Sequence, residues 1–425
     1  MIHINRDKYK ISLAAMLTLI FLLQYLRNIT EIYYLIFFII LSLVGVEIIK
    51  HKTQNNLVKP TFIFYLIFLI SLMHVSIITV FYYDKYDLVI SSFISGMARL
   101  WTVPLFSLIL FFLLRRNRHI YLIINIYIIF IIAAALSILL QHFLGRSIFG
   151  EHYYGALRMG FDNQIAGYAS LTGNVTTFGS SFFSAAILLF FKQNVKPFYK
   201  SLGFSILVGT ALITMSKTGF LMSSIVMIIA LYFSVYYRNW KFLFYTLLIL
   251  LSGGILFFQL FIEASLIMFV NTFGFEFGNY RIATTTQWQD FIPRVTDRLF
   301  GVFLFDSDTI SNMTYSEIFL GTGIIGGGGV MGISGPTSHN SYFDIYKMGG
   351  VIFFLTSVML IIHVLKSLFL AFKKTNDMTL LGLLISNILI ALLMTVYNGS
   401  LFHPSTSLPI WISIFYLIRN TKTKA

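Results

Sequence analysis

Leu113-Leu114-Arg115-Arg116-Asn117-Arg118-His119-Ile120 joins two long apolar runs, about residues 88–114 and 119–144. Each run is continuous rather than alternating and exceeds the ~20 apolar residues that cross a hydrocarbon core as a helix. A transmembrane β-barrel strand would alternate with period two and be half as long. The basic cluster at the joint is the charge signature of a cytoplasmic loop. Working outward, ten more runs of the same kind follow, at about 11–26, 32–49, 61–83, 164–191, 201–215, 219–237, 242–262, 341–365, 378–396 and 409–419. The seventh and twelfth, 201–215 and 409–419, are short. The expected fold class is an all-α membrane protein of about twelve transmembrane helices packed as a single domain over 1–425.

Composition agrees, with 57% hydrophobic and 11% charged residues and 45 Phe among 425 positions. Such a chain lies outside the soluble range. Its net charge of +14 suggests nucleic acid only until the charges are placed. Arg6, Lys8 and Lys10 precede the first run. Further along come Lys50/Lys52/Lys59, Arg115/Arg116/Arg118, Lys192/Lys196/Lys200, Arg238/Lys241, Lys366/Lys373/Lys374 and Arg419/Lys422/Lys424. These 20 of 30 basic residues all fall on one side if the N-terminus is inside, so the bias reads as topology and not as a nucleic-acid surface. Both termini are then expected in the cytoplasm. The first run has no small-residue cleavage site after it and reads as a retained signal anchor. The chain has no Cys, hence no disulfide or thiolate metal site.

One segment breaks the pattern. Between the ninth and tenth runs, residues 271–340 carry Arg, Asp, Trp and Gly and end in Ser338-His339-Asn340-Ser341-Tyr342-Phe343. A large outer loop, partly helical, that closes on a His at a span entrance is a candidate active site. Cations on that side run against the topological bias. Arg158 stands just before the sixth span, where it can serve as a snorkelling anchor or as a ligand. Lys217 occupies the tight turn between the seventh and eighth spans, in Met215-Ser216-Lys217-Thr218-Gly219. Arg281 opens a periodic stretch to Leu299 that also holds Arg294 and Arg298, and the latter two can simply pair with Asp297. Arg99 lies inside the fourth span, an intramembrane charge of the kind that marks a functional path. His339, with a reference pKa of ~6.5, suits removal of a proton from an attacking hydroxyl. Fixed cations suit a diphosphate leaving group.

Residues 321–335 contain eight Gly without a Gly-Lys-Ser/Thr ending, so this is no P-loop; it reads as a flexible flap or a plain loop. Asp306-Ser307-Asp308 reads as a solvated turn. No metal-ligand spacing occurs, and neither a metal nor another cofactor is expected.

At these residues the chain resembles the O-antigen polymerase/O-antigen ligase superfamily of bacterial membrane glycosyltransferases. Arg158 is followed by Gly173-Asn174-Val175-Thr176-Thr177-Phe178-Gly179. Ser216-Lys217-Thr218-Gly219 stands where the family has Ser-Arg-Gly/Thr. Arg281 to Trp288 opens the large loop, His339-Asn340-Ser341-Tyr342 closes it, and Phe402-His403-Pro404 precedes the last span. The resemblance covers the C-terminal two-thirds and implies a metal-independent transferase in the bacterial inner membrane. It would take an undecaprenyl-diphosphate-linked oligosaccharide as donor at the periplasmic face, and the large loop would be periplasmic. His339 would activate the acceptor. Arg281, Lys217 and Arg158 would hold diphosphate, with Asn174, Asn340, Tyr342, Arg294, Arg298 and Arg99 as secondary candidates. Lys217 departs from the family's Arg, which exchanges a bidentate fork for a point charge. The implied activity is polymerisation of O-antigen or capsule repeat units, with a chain-length regulator and a flippase as partners. Transfer of finished glycan to lipid A core or protein is the alternative. A lipid-linked glycan flippase would show repeated halves and broken helices, and the sequence has no similar halves.

Overall fold

The computed structural model describes residues 6–24, 33–50, 60–83, 89–114, 118–149, 168–173, 175–214, 217–256, 314–330, 340–395 and 401–420. Among them the chain is helical, and the only β pairing is an isolated bridge between Ser170 and Gly173. The helices are α1 (Arg6–Leu22), α2 (Tyr33–Lys50), α3 (Pro60–Phe81), α4 (Ile90–Leu113), α5 (Arg118–Leu144), α6 (Val175–Gly179), α7 (Phe182–Phe191), α8 (Pro197–Ile213), α9 (Lys217–Tyr236), α10 (Trp240–Leu256), α11 (Tyr315–Leu320), α12 (Ser341–Thr375), α13 (Met378–Leu393) and α14 (Pro404–Asn420). A 3₁₀ helix, Gly323–Val330, follows α11. Among the described residues four helices are long and apolar enough to cross a membrane: α3, α4, α12 and, from His119, α5. The shorter apolar helices, such as the 17-residue α8, reach only ~25 Å at ~1.5 Å per residue.

Which faces are apolar explains the packing. On α3, Tyr65, Phe68, Leu72 and Val75 are fully buried, whereas Ile70, Met73 and Ile77 on the opposite face are exposed. In water that face would be a large liability; in a lipid bilayer it is the expected outer surface. The inner face packs along α12, where Thr356 donates to Ser71 at 2.8 Å. Interhelical hydroxyl bonds of this kind hold helices together in lipid, where apolar contact alone gives little preference. At the bundle centre Trp411 of α14 is fully buried, its ring 5.9 Å from that of Phe68.

The two ends of the bundle differ in charge. At one end Tyr121 bonds Asp377, Thr61 bonds His363 and Arg419 bonds the Phe111 carbonyl. The residues joining α7 to α8, α9 to α10 and α12 to α13 meet there, around one cavity. This is the end of the basic segments. At the other end α3 meets the 3₁₀ helix, the Ser341 amide donates to the Met394 carbonyl at 2.8 Å, and Thr177 approaches His403.

Two expected spans are interrupted. The run 164–191 is not one helix. The Ser170–Gly173 bridge and a break at Ser180 and Ser181, between α6 and α7, divide it. The hydroxyls of both serines bond back to the Thr177 carbonyl, which offers the backbone an alternative to the helical ladder. The run at 341–365 extends to Thr375 and kinks at Gly349 and Gly350, whose backbones are non-helical. That kink frees the Lys347 carbonyl, and Thr322 satisfies it with its amide at 2.8 Å and its hydroxyl at 3.1 Å.

The glycine-rich stretch is therefore neither flap nor plain loop over its described part. Gly321, Thr322, Gly323 and Ile324 are buried against α3 and α12. A Cβ on Gly321 would lie 2.5 Å from the backbone of Met348, and one on Gly323 would lie 2.4 Å from the Thr79 hydroxyl. The Ile324 amide donates to that same hydroxyl at 3.0 Å. Missing side chains here permit contact between backbones.

Candidate functional site

Of the residues singled out in the sequence, His339, Arg158, Arg281, Arg294, Arg298 and Asn174 lie outside the described residues, as do Asp306 and Asp308. Lys217 is the first residue of α9, and its side chain lies outside them as well. Three others are placed. Asn340 is fully buried and caps α12, its side-chain oxygen accepting from the amides of Tyr342 at 3.0 Å and Phe343 at 3.1 Å. That satisfies two of the orphan donors of a helix start. Tyr342 donates its hydroxyl to the Ala391 carbonyl at 3.1 Å, tying α12 to the end of α13. Arg99 is 4% exposed in the third turn of α4.

The entrance of α12 is thus a fixed platform. Asp344, one turn past Asn340, is 1% exposed, and Lys347 is 9% exposed with its ammonium 5.3 Å from the centre of the Phe343 ring. A carboxylate and an ammonium buried within two turns of a span are costly to keep in lipid and mark a working region.

The structure also unites two segments that the sequence holds 226 positions apart. His403 lies just before α14, where Pro404 is at the first helical position and needs no N–H partner. Its Nε2 is 3.5 Å from the Thr177 hydroxyl of α6, and its Nδ1 is 3.3 Å from the Ser405 hydroxyl. Beside this pair Ser180 bonds Thr406, hydroxyl to hydroxyl, at 2.9 Å. Tyr127 donates its hydroxyl within reach of both the Ser181 and Ser405 carbonyls, at 3.0 and 2.9 Å. The helix break in the run 164–191 falls at these groups. A short α6 brings Thr177 to α14, and the unwound serines supply polar atoms in an apolar surround. Phe402 continues the contact chain to Phe353 on α12, with ring centres 6.2 Å apart.

His403, Thr177 and Ser180 were not among the candidate residues read from sequence. The signal available was the polar run His403-Pro404-Ser405-Thr406-Ser407 at the head of an otherwise apolar span. Chemically the cluster is an imidazole held among hydroxyls that are themselves buried and bonded within the bundle. Among the described residues no group of three or more His, Asp or Glu is arranged to hold a metal.

Comparison with known proteins found no matching family model, no similar curated protein and no similar solved structure.

Proposed function

We propose that this chain is a membrane glycosyltransferase of about twelve spans that polymerises lipid-linked oligosaccharide repeat units for O-antigen or capsule. The donor is an undecaprenyl-diphosphate-linked glycan presented at the outer face of a bacterial inner membrane, with both termini of the chain in the cytoplasm. In this reading the acceptor hydroxyl loses its proton to His339 as its oxygen attacks the donor's anomeric carbon. The bond from that carbon to the diphosphate breaks, and the charge that develops on the diphosphate is held by Arg281, Lys217 and Arg158. The observation that carries the reading is the meeting of Thr177 with His403. Two segments that bear the family resemblance come together at the end of the bundle opposite the basic loops. The entrance of α12, next to His339, is tied to the same end.

The test is the lipid-extract profile of a strain lacking the chain, complemented with His339→Ala. Single repeat units left on carrier or core, restored to long glycan by the wild type but not by His339→Ala, are the expected result. Long glycan retained on the carrier would instead mean ligation. A wild-type profile in the deletion strain would refute both. One observation favours transport as a second reading, namely the two interrupted spans at Ser180–Ser181 and Gly349–Gly350, since broken helices often line translocation paths. Repeat units trapped on the inner leaflet would mark that outcome.

A further inference from the structure

At the end of the bundle where the basic segments gather, a cavity of about 350 Å³ is lined by Gln193, Lys200, Asn239 and Asn376 together with aromatic rings such as Phe190 and Phe233. This is the size range of small-ligand sites. Its walls come from four helices and three connecting segments, so it is a feature of the tertiary fold and not of one loop. Lys200 is 8% exposed. Among the described residues no carboxylate pairs with it, and Lys192 is near enough for its charge to act on that of Lys200. Burial also holds the Lys192 ammonium below its usual pKa range. The nearest carboxylate in sequence to the rim, Asp377, is committed elsewhere. It accepts from the Tyr121 hydroxyl and from the Thr379 amide at the start of α13.

A buried ammonium with a second cation near it and no counter-charge is unfavourable, and either gives up its proton more readily or takes an anion that completes the site. Three side-chain amides on the lining, Gln193, Asn239 and Asn376, supply neutral donors beside the charge. Aromatic rings close the remaining walls, which suits a phosphate attached to an apolar or glyceryl body.

We infer that this cavity is a binding site for a phosphate-bearing anion, held by Lys200 and the amides of Gln193, Asn239 and Asn376, with the Lys192 charge close enough to add to the attraction, at the end of the bundle opposite the proposed glycan site. The site is independent of the transferase reading. Its ligand is either an anionic phospholipid headgroup or a soluble phosphate.

The experiment uses the full chain purified in neutral detergent. Native mass spectrometry measures retention of phosphatidylglycerol against phosphatidylcholine, and thermal unfolding measures protection by inorganic phosphate against chloride at equal ionic strength. Selective phosphatidylglycerol retention that falls at least tenfold in Lys200→Gln and survives in Lys200→Arg is expected for the lipid source. Protection by inorganic phosphate with the same Lys200 dependence, and no lipid selectivity, identifies the soluble source. Should Lys200→Gln not be recovered folded, Lys192→Gln, at a less buried position, is expected to weaken the same signal several-fold. Equal binding by Lys192→Gln and wild type, or by Lys200→Gln and wild type, overturns the inference. So does the lack of either ligand signal in the wild type.

Discussion

Replacing Gly350 by Ala tests the packing of the glycine-rich segment against the α12 kink. Gly350 has φ 61° and ψ −157°, a region that L residues other than glycine occupy at a cost of ~1–3 kcal/mol. The added Cβ would lie 2.0 Å from the Phe319 carbonyl oxygen and 2.7 Å from the Leu320 amide nitrogen, where ordinary contact begins at 3.4 Å. Both neighbours are backbone, so no rotamer change relieves the clash. Residues 319–320 must retreat by more than an ångström, and Thr322 two residues on loses its hold on the Lys347 carbonyl. Those two bonds add ~0.5–1.5 kcal/mol each, for a total of about 2–6 kcal/mol. Equilibrium unfolding in mixed micelles reads the loss. Gly254→Ala is the control, since nothing lies within 4 Å of its new Cβ and alanine is the better helix former. A Gly350→Ala protein within ~0.5 kcal/mol of wild type, or a control equally damaged, would refute the account.

Asn340→Ala removes the α12 cap and is expected to cost ~0.5–2 kcal/mol. Asn340→Asp, which keeps an accepting oxygen, should retain most of that stability in the same unfolding assay. Thr177→Val deletes the hydroxyl beside His403 with little change of volume. Under the transferase reading it should shorten or abolish long glycan on a lipopolysaccharide or capsule gel while the protein stays at wild-type level in the membrane. Lys217→Arg should be tolerated in that gel assay and Arg281→Lys only partly, because an ammonium cannot form the bidentate contact. Reporter fusions after Lys196, Lys241 and Lys373 should read cytoplasmic, and fusions near Asp306 should read external.

The helices themselves were legible in the chain because lipid demands continuous apolar runs, and the runs at 61–83 and 119–144 coincide with α3 and α5 to within a few residues. The charge bias of the connections was equally plain. What the chain hides is any feature set by a partner far along it. Hydropathy does not register the break at Ser180–Ser181, because small hydroxyl residues barely lower it and their donors are satisfied locally. Eight glycines read alike whether they face water or another backbone, and the partner that decides, Lys347 to Gly350, lies over 20 residues later. Asn340 stood out as a neighbour of His339, while its spacing ahead of a span also fits a helix cap, the role the geometry gives it. His403 stood only within a motif, with no role of its own, because its hydroxyl partner, Thr177, is 226 positions away.

α14 carries a consequence for biosynthesis. It follows every other described helix in the chain, and from Leu401 to Leu417 nearly every side chain is buried, Ser405, Thr406, Ser407 and Ser413 completely. Its head is a run of hydroxyls and two prolines, a weak signal for membrane insertion on its own. Its Ser413 receives the Asn387 amide at 2.7 Å and its Thr406 meets Ser180, so its docking slot is polar where α14 is polar. Until α14 has been made, the helices that precede it surround an unfilled groove. Quality control in the membrane would therefore meet an open intermediate for as long as α14 is unmade, and a chain cut before α14 would be recognised as an unfinished protein rather than a shorter one.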